Sequence, residues 1–152
     1  MNKFMAAAIE EGRKGMRKGD GGPFGAVIVR KGKIFAKGHN MVLVTNDPTM
    51  HAEVTAIRNA AKKAGRFDLS DCEIYTSCEP CPMCFGAIHW AKMRRMHYGC
   101  TSKDAANIGF DDKWIYDVIK KPGRGLRAKN IDRKECIELF KEWKRKQDRK
   151  MY

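Results

Sequence analysis

Two short segments carry residue types that bind metals and move protons. The first is residues 51–53, with the sequence His-Ala-Glu, and the second is residues 80–84, with the sequence Pro-Cys-Pro-Met-Cys. A neutral imidazole and two thiolates are good zinc ligands, and three protein ligands leave a fourth tetrahedral position for water, whose pKa the bound zinc lowers to about 7. The sequence therefore predicts one open Zn²⁺ site per chain, held by His51, Cys81 and Cys84.

Glu53 is the candidate proton carrier beside this site. Side chains two residues apart on a regular helix point roughly 200° apart, so His51 and Glu53 serve one centre only where it lies over the helix end. Glu53 would then carry a proton from water to a substrate nitrogen and the departing ammonia, which typically contributes ~10²–10⁴-fold to a rate. His-x-Glu followed by Pro-Cys-x-x-Cys is the general signature of zinc deaminases.

Other interpretations of the cysteines remain open. Cys78 lies three residues before Cys81, so it could close a structural zinc site as the fourth ligand and exclude water. A thioredoxin-like dithiol is a second alternative, although it leaves the His-x-Glu segment unexplained. The remaining cysteines are predicted to be small buried apolar residues; they are Cys72, Cys100 and Cys136.

Strand and helix patterns alternate along the chain. An amphipathic helix over 3–18 precedes a hairpin of strands 25–30 and 33–37, and a helix that starts near Met50 ends at Gly65. Pro82 suits the first turn of a helix that reaches about Lys92. The alternation indicates an α/β protein whose partly parallel sheet is covered on both faces. The other predicted elements are strands 72–77 and 95–99, a helix over 112–119, and a last helix containing Cys136, Leu139, Phe140 and Trp143.

Length and composition indicate one soluble domain. The chain has 152 residues, of which 43% are hydrophobic and 32% are charged. It shows neither a membrane-spanning run nor the layout of a signal peptide, so we expect a cytoplasmic protein. The net charge is +13, and residues 120–152 hold 13 basic against 5 acidic residues. This basic C-terminal segment is interpreted as a solvated helix face in preference to a nucleic-acid surface.

Several segments beyond the metal motif resemble the cytidine deaminase-like zinc deaminases, and among them the bacterial guanine deaminases. The resemblance runs from about residue 21 to 119 and is weaker over 120–152; its clearest segments are 21–29, 46–49, 51–57, 75–84 and 109–112. It implies a three-layer α/β/α sandwich around a mixed five-stranded sheet, with 1–152 as a single deaminase domain. It also implies hydrolysis of guanine to xanthine and ammonia by a homodimer, in which a C-terminal segment can be exchanged between subunits.

The resemblance further implies roles for individual residues. His51, Cys81 and Cys84 match the zinc ligands and Glu53 matches the proton shuttle, while Asp112 matches a second catalytic carboxylate near the purine amine. An aromatic face suits a flat purine, and an amide offers its ring edge both a donor and an acceptor. The residues that match substrate contacts are Phe24, Asn40, Ala52, Trp90 and Tyr152.

Each of these assignments has a structural alternative. Phe24 and Trp90 could be core residues, Asn40 a turn residue, and Asp112 a cap of the following helix. His89 stands where the family usually has an aromatic residue, and residues 123–127 are basic and poor in strand formers, which leaves the fifth strand open.

Two other functions compete with deamination of guanine. A tRNA adenosine-to-inosine deaminase of the same fold would use the basic C-terminal segment to bind RNA. The paired phenylalanine-arginine pattern of the last helix in those enzymes is absent, and residues 140–143 read Phe-Lys-Glu-Trp instead. A non-catalytic zinc- or RNA-binding module is the other alternative, against which the retained Glu53 argues.

Overall fold

The computed structural model describes residues 1–120, 129–148 and 150 of the chain. The described residues form four strands and seven helices: α1 (Lys3–Lys18), β1 (Gly25–Arg30), β2 (Lys33–His39), α2 (Val42–Thr45), α3 (Ala52–Ala64), β3 (Cys72–Cys78), α4 (Pro82–Trp90), β4 (Met96–Cys100), α5 (Ser102–Asn107), α6 (Lys113–Lys120) and α7 (Arg133–Arg145). They include every element expected from the sequence except the fifth strand. The two short helices α2 and α5 were not expected.

The strands form one mixed sheet in the order β2-β1-β3-β4. β1 pairs antiparallel with both β2 and β3, whereas β3 pairs parallel with β4 through the crossover helix α4. A mixed α/β arrangement is therefore confirmed. The five-stranded form is not, because the described residues contribute four strands and residues 123–127 lie outside them.

Alternation along β1 divides the core into two layers. Ala26 and Ile28 face the cluster that includes α3, while Val27 and Val29 face the cluster that includes α1. All four side chains are fully buried, as expected for a central strand covered on both faces. The sheet thus lies between α1 on one side and α3 with α4 on the other.

Gly38 lets α3 lie directly against the sheet. A Cβ atom at this position of β2 would lie 2.3 Å from the backbone nitrogen of Ala56 and 2.6 Å from the carbonyl oxygen of Ala52. Real Cβ atoms do not approach backbone atoms so closely, so a side chain at this position would push α3 away from β2. Glycine allows the first turns of α3 to pack directly on the strand. This contact fixes the start of α3, where His51 and Glu53 lie.

The chain divides into two compact units, residues 1–114 and 115–152. The first holds the sheet and helices α1 to α5. In the second, α7 carries Leu139, Phe140 and Trp143, which are all exposed. Among the described helices, none combines the length and the apolarity that crossing a bilayer requires.

The cysteine burial expected from the sequence is only partly observed. Cys72 is buried, but Cys100 and Cys136 are exposed. Cys100 ends β4, which is the edge strand of the described sheet, and edge strands have one side open. The expectation for those two cysteines was therefore wrong.

Candidate active site

Two helix starts bring the three predicted ligands together. His51 is the N-cap residue of α3, and Cys81 is the N-cap residue of α4, with Pro82 at its first helical position. The Nδ1 atom of His51 lies 3.6 Å from Sγ of Cys81 and 3.5 Å from Sγ of Cys84. A nitrogen and a sulfur bound to one tetrahedral zinc, at about 2.0–2.1 and 2.3 Å, are about 3.5 Å apart. These donors therefore have the spacing that zinc needs.

The two thiols differ in how readily they ionise. The Cys84 thiol donates a hydrogen bond to the Cys81 sulfur, and together with the nearby His51 this lowers the pKa of Cys81 to about 4. The same hydrogen bond, with burial, raises the pKa of Cys84. A cation at the centre of the three donors would stabilise both thiolates, because thiolates are the forms that bind metals.

Glu53 lies buried beside the ligands. One carboxylate oxygen, Oε1, accepts a hydrogen bond from the hydroxyl of Thr76 on β3 at 3.1 Å. Burial raises the pKa of Glu53 above its ordinary value. Because His51 caps α3 and Glu53 lies in its first turn, both side chains reach one centre over the helix end, as the two-residue spacing requires.

Cys78 lies outside this ligand group. Its thiol donates to the carbonyl oxygen of Thr101 at 3.5 Å, whereas the only metal-binding group among the described residues consists of His51, Cys81 and Cys84. The closed four-ligand site is therefore not supported by the described part of the chain. Three donors leave a position open for a small molecule.

The open side of the ligand group faces a cavity of about 720 Å³. This volume is within the range of clefts that bind small molecules. His51, Glu53 and Cys81 all line it, so a ligand in the cavity lies against both the metal-binding group and the carboxylate. The other lining residues include Gly21, Gly22, Phe24, Asn40, Leu43, Glu79, Phe110 and Asp112.

Asn40 presents an amide nitrogen to the cavity. Its Oδ1 atom accepts hydrogen bonds from the backbone N–H groups of Gly22 at 3.3 Å and Val42 at 3.2 Å. These contacts make Asn40 a turn residue, as the structural alternative proposed, and they also fix the orientation of its amide. Its Nδ2 atom has no hydrogen-bond partner within the described chain, so this donor is available to a ligand.

Aromatic and acidic side chains line the same cavity. The rings of Phe24 and Phe110 meet edge to face with centroids 5.0 Å apart. The backbone N–H of Lys113 at the start of α6 donates to Asp111 at 2.9 Å, so the capping role considered for Asp112 belongs to its neighbour. Asp112 instead lines the cavity, where burial, followed by the charge of Cys81, raises its pKa.

None of the other three predicted substrate contacts is among the described residues that line the cavity. Ala52 is fully buried at the first position of α3, where backbone N–H groups have no acceptor within the helix. Trp90 ends α4 with 64% of its surface exposed, and it lies neither in the core nor among the described residues that line the cavity. Tyr152 lies outside the described residues.

Three contributors to the site were not predicted from the sequence. Phe110 lies in the segment 109–112, in which the sequence predicts a functional role for Asp112 only. Glu79 precedes the second ligand segment and accepts a hydrogen bond from the N–H of Ser102 at 3.0 Å, which joins the cavity to α5. Thr76 orients Glu53, and its position on a buried strand gave no signal for that role.

Comparison with known proteins supports this description of the site. Residues 1–100 match the family model described as the cytidine and deoxycytidylate deaminase zinc-binding region. The chain is 47% identical over 151 residues to the guanine deaminase of Bacillus subtilis, an alignment that covers 98% of this chain and 97% of the relative. It is 30% identical to a tRNA-specific adenosine deaminase of Aquifex aeolicus, with 94% and 93% of the two chains covered.

The fold agrees with a solved structure as well. The crystal structure of Bacillus subtilis guanine deaminase superimposes with a TM-score of 0.95 at 47% identity, covering 100% of this chain and 99% of that one. The family match spans both ligand segments, and the fold places their three donors at zinc spacing with a carboxylate beside them. The chain therefore belongs to the cytidine and deoxycytidylate deaminase family of zinc-dependent enzymes.

Proposed function

We propose that this enzyme hydrolyses guanine to xanthine and ammonia. The observation that carries the proposal is a buried carboxylate, Glu53, and an open metal-binding group that line one cavity together with a free amide donor and a second carboxylate. Polar groups that pair with a ligand discriminate strongly, because a mismatched ligand leaves them buried and unpaired. The likeness to the Bacillus subtilis guanine deaminase supports the same substrate.

The described residues divide the work of binding between them. Phe24 offers an aromatic face to the purine ring, and Asn40 donates from Nδ2 to an acceptor on the ring edge. Asp112 accepts a hydrogen bond from the exocyclic amine. The backbone N–H of Ala52, in the first turn of α3 next to His51, is the donor that we assign to the predicted contact of this residue.

Glu53 moves the protons of the reaction. Zinc held by His51, Cys81 and Cys84 would act as a Lewis acid that activates water as a nucleophile. Glu53 takes a proton from the attacking water as a bond forms between the water oxygen and C2 of guanine, and passes it to the ring. The second proton goes to the exocyclic nitrogen as the C2–N bond breaks, so guanine and water give xanthine and ammonia. The raised pKa of Glu53 suits a group that must both accept and return a proton.

An assay of ammonia release tests the proposal. Zinc-loaded protein is offered guanine, guanosine, adenine, cytosine and a tRNA anticodon stem-loop. We expect turnover of guanine and none of adenine or the stem-loop. Inosine in the stem-loop without release of ammonia from guanine would favour the tRNA enzyme. A zinc-loaded protein inactive on every substrate would favour the non-catalytic module.

Replacing Asp112 with asparagine is expected to lower kcat/KM for guanine by about 10–100-fold. A hydrogen bond to a charged group is worth about 1.5–3 kcal/mol, and the amide lacks the charge that holds the exocyclic amine. Steady-state kinetics measures the change. Asp111→Asn is the matched control, because Asp111 lines the same cavity; its expected loss is much smaller, since the amide oxygen still accepts the hydrogen bond from Lys113. Equal losses in both variants would remove Asp112 from the reaction.

We further propose a homodimer in which each chain lends its C-terminal segment to the other. The unit 1–114 has an apolar groove of about 640 Å³, lined by Met5, Ile9, Met16 and Ile108 among others. The exposed Leu139, Phe140 and Trp143 of α7 form an apolar surface of the kind that marks an interaction site. A partner's C-terminal segment seated in this groove would pack against the unit 1–114, so that each deaminase domain would be completed by the other chain.

Light scattering tests the dimer. We expect a molar mass twice that of the 17.3-kDa chain, and a shift toward the single-chain mass in Phe140→Lys. A wild-type protein of single-chain mass at micromolar concentration would contradict the arrangement. We also propose a cytoplasmic location, because two reduced cysteines are needed at the site and thiols stay reduced there.

A further inference from the structure

A histidine that no step of the mechanism uses lies next to Asn40. His39 ends β2 and is 9% exposed. Its imidazole is held between two carboxylates: Nδ1 lies 3.1 Å from Oε1 of Glu11, and Nε2 lies 2.8 Å from Oδ2 of Asp20. Both carboxylates are largely buried, with side-chain exposures of 12% and 17%.

The contacts of the ring join three parts of the chain. Glu11 lies on α1, Asp20 follows the end of α1, and His39 ends β2. A ring N–H donates and a carboxylate oxygen accepts, so the imidazole links these parts through its two nitrogens. Lys14 lies 3.7 Å from Glu11 and adds a salt bridge to the same group.

Packing prevents the ring from moving away from this position. α1 passes the imidazole at Gly15, where a Cβ atom would lie 2.4 Å from Cδ2 of His39. Any larger residue at this position would clash with the ring. The imidazole, Glu11 and Asp20 therefore form one fixed group, which we call the His39 clamp.

The His39 clamp holds the backbone that presents Asn40 to the cavity. The carbonyl oxygen of Asp20 accepts hydrogen bonds from the N–H groups of Leu43 and Val44, both at 3.1 Å, which secures α2. Two residues later, the N–H of Gly22 donates to Oδ1 of Asn40. Asp20 is thus tied to His39 by its side chain and to the cavity wall by its backbone.

We propose that His39 is a positioning residue for the purine site, whose ring holds Asp20 and thereby Asn40 and α2 in their binding positions. This inference rests on the proposed function, because it assigns His39 to the binding of the same substrate. His39 does not touch the reacting atoms, so its loss weakens substrate binding and leaves the proton transfers of Glu53 in place.

Kinetics of His39→Gln gives the first test. Glutamine can reach only one of the two carboxylates, so we expect KM for guanine to rise about tenfold, the size of one lost hydrogen bond to a charged group, with kcat changed less than about twofold. The matched control is His97→Gln, which breaks another imidazole–carboxylate contact, at 3.1 Å to Glu73, on the edge strand β4. It is expected to leave both constants within about twofold.

Nitrogen-15 NMR of the histidine side chains gives a test that does not depend on activity. We expect the Nε2 shift of His39 to differ between the wild-type protein and Asp20→Asn, because an amide replaces the carboxylate that faces this nitrogen. The shifts of His97, which contacts Glu73 instead, should not change.

An unchanged Nε2 shift in Asp20→Asn, or an unchanged KM in folded His39→Gln, would overturn the inference. A wild-type protein that leaves guanine untouched would overturn the proposed function instead, and the NMR experiment would still show whether Asp20 holds the ring of His39.

Discussion

Replacing Glu53 with glutamine is expected to lower kcat for guanine by about 10²–10⁴-fold while zinc stays bound. Glutamine has nearly the same shape and can still accept the hydrogen bond from Thr76, but it cannot take a proton from water or return one to the ring. A positioned general acid–base group contributes typically ~10²–10⁴-fold, and here one group serves several transfers. Ammonia release measures the rate, and metal analysis measures the zinc.

Glu73→Gln is the matched control for this experiment. Glu73 lies on the same strand as Thr76 but pairs with His97, at 3.1 Å, and is not among the described residues that line the cavity. We expect its activity to stay within about twofold of the wild type, because Glu73 belongs to neither the metal-binding group nor the cavity lining of the described residues. Retention of most activity by Glu53→Gln would show that another group moves the proton.

The metal-binding group was predictable because its chemistry is local. His51 and Glu53 have to share a centre over a helix end, and this requirement places that end close to His51. The hydrophobic pattern indicates a start near Met50, and the helix begins two residues later, at Ala52. Pro82 fixes the start of α4 in the same way, since proline suits the first helical position. Residue type and spacing are enough because each ligand segment begins at a helix start that the sequence itself specifies.

The cavity wall was harder to predict because long-range contacts build it. α2 has the sequence Val-Leu-Val-Thr, which carries three β-branched residues, and it is helical because the carbonyl oxygen of Asp20 accepts two of its N–H groups. Phe110 reaches the cavity through its contact with Phe24, 86 positions earlier in the sequence. No local pattern contains either contact.

Unlike α2, the helix α5 was predictable from the sequence. Thr101 and Asp104 form a capping box in which each side chain accepts a hydrogen bond from the backbone of the other. The spacing of such a pair, a threonine followed three residues later by an acidic residue, is a recognised helix start. The fifth strand is a different case, since residues 123–127 are poor in strand formers and lie outside the described residues.

Replacing Cys81 with serine is expected to abolish zinc binding and, with it, activity on guanine. Serine is a favourable N-cap residue, so the start of α4 keeps its local stability, and the variant changes mainly the donor set. The hydroxyl does not ionise as the thiol of Cys81 does, whose pKa is lowered to about 4. We expect metal analysis to find about one zinc per wild-type chain and less than about 0.1 in the variant, because a zinc site depends on its deprotonated ligands.

Cys78→Ser is the matched control, and it also separates an open site from a closed one. Its hydroxyl can still donate to the carbonyl oxygen of Thr101, and Cys78 is outside the metal-binding group of the described residues. We therefore expect it to keep one zinc per chain. Loss of zinc from both variants would mean that four protein ligands saturate the ion. A saturated ion has no position for water, so Glu53 would have no proton to move and the enzyme could not deaminate guanine.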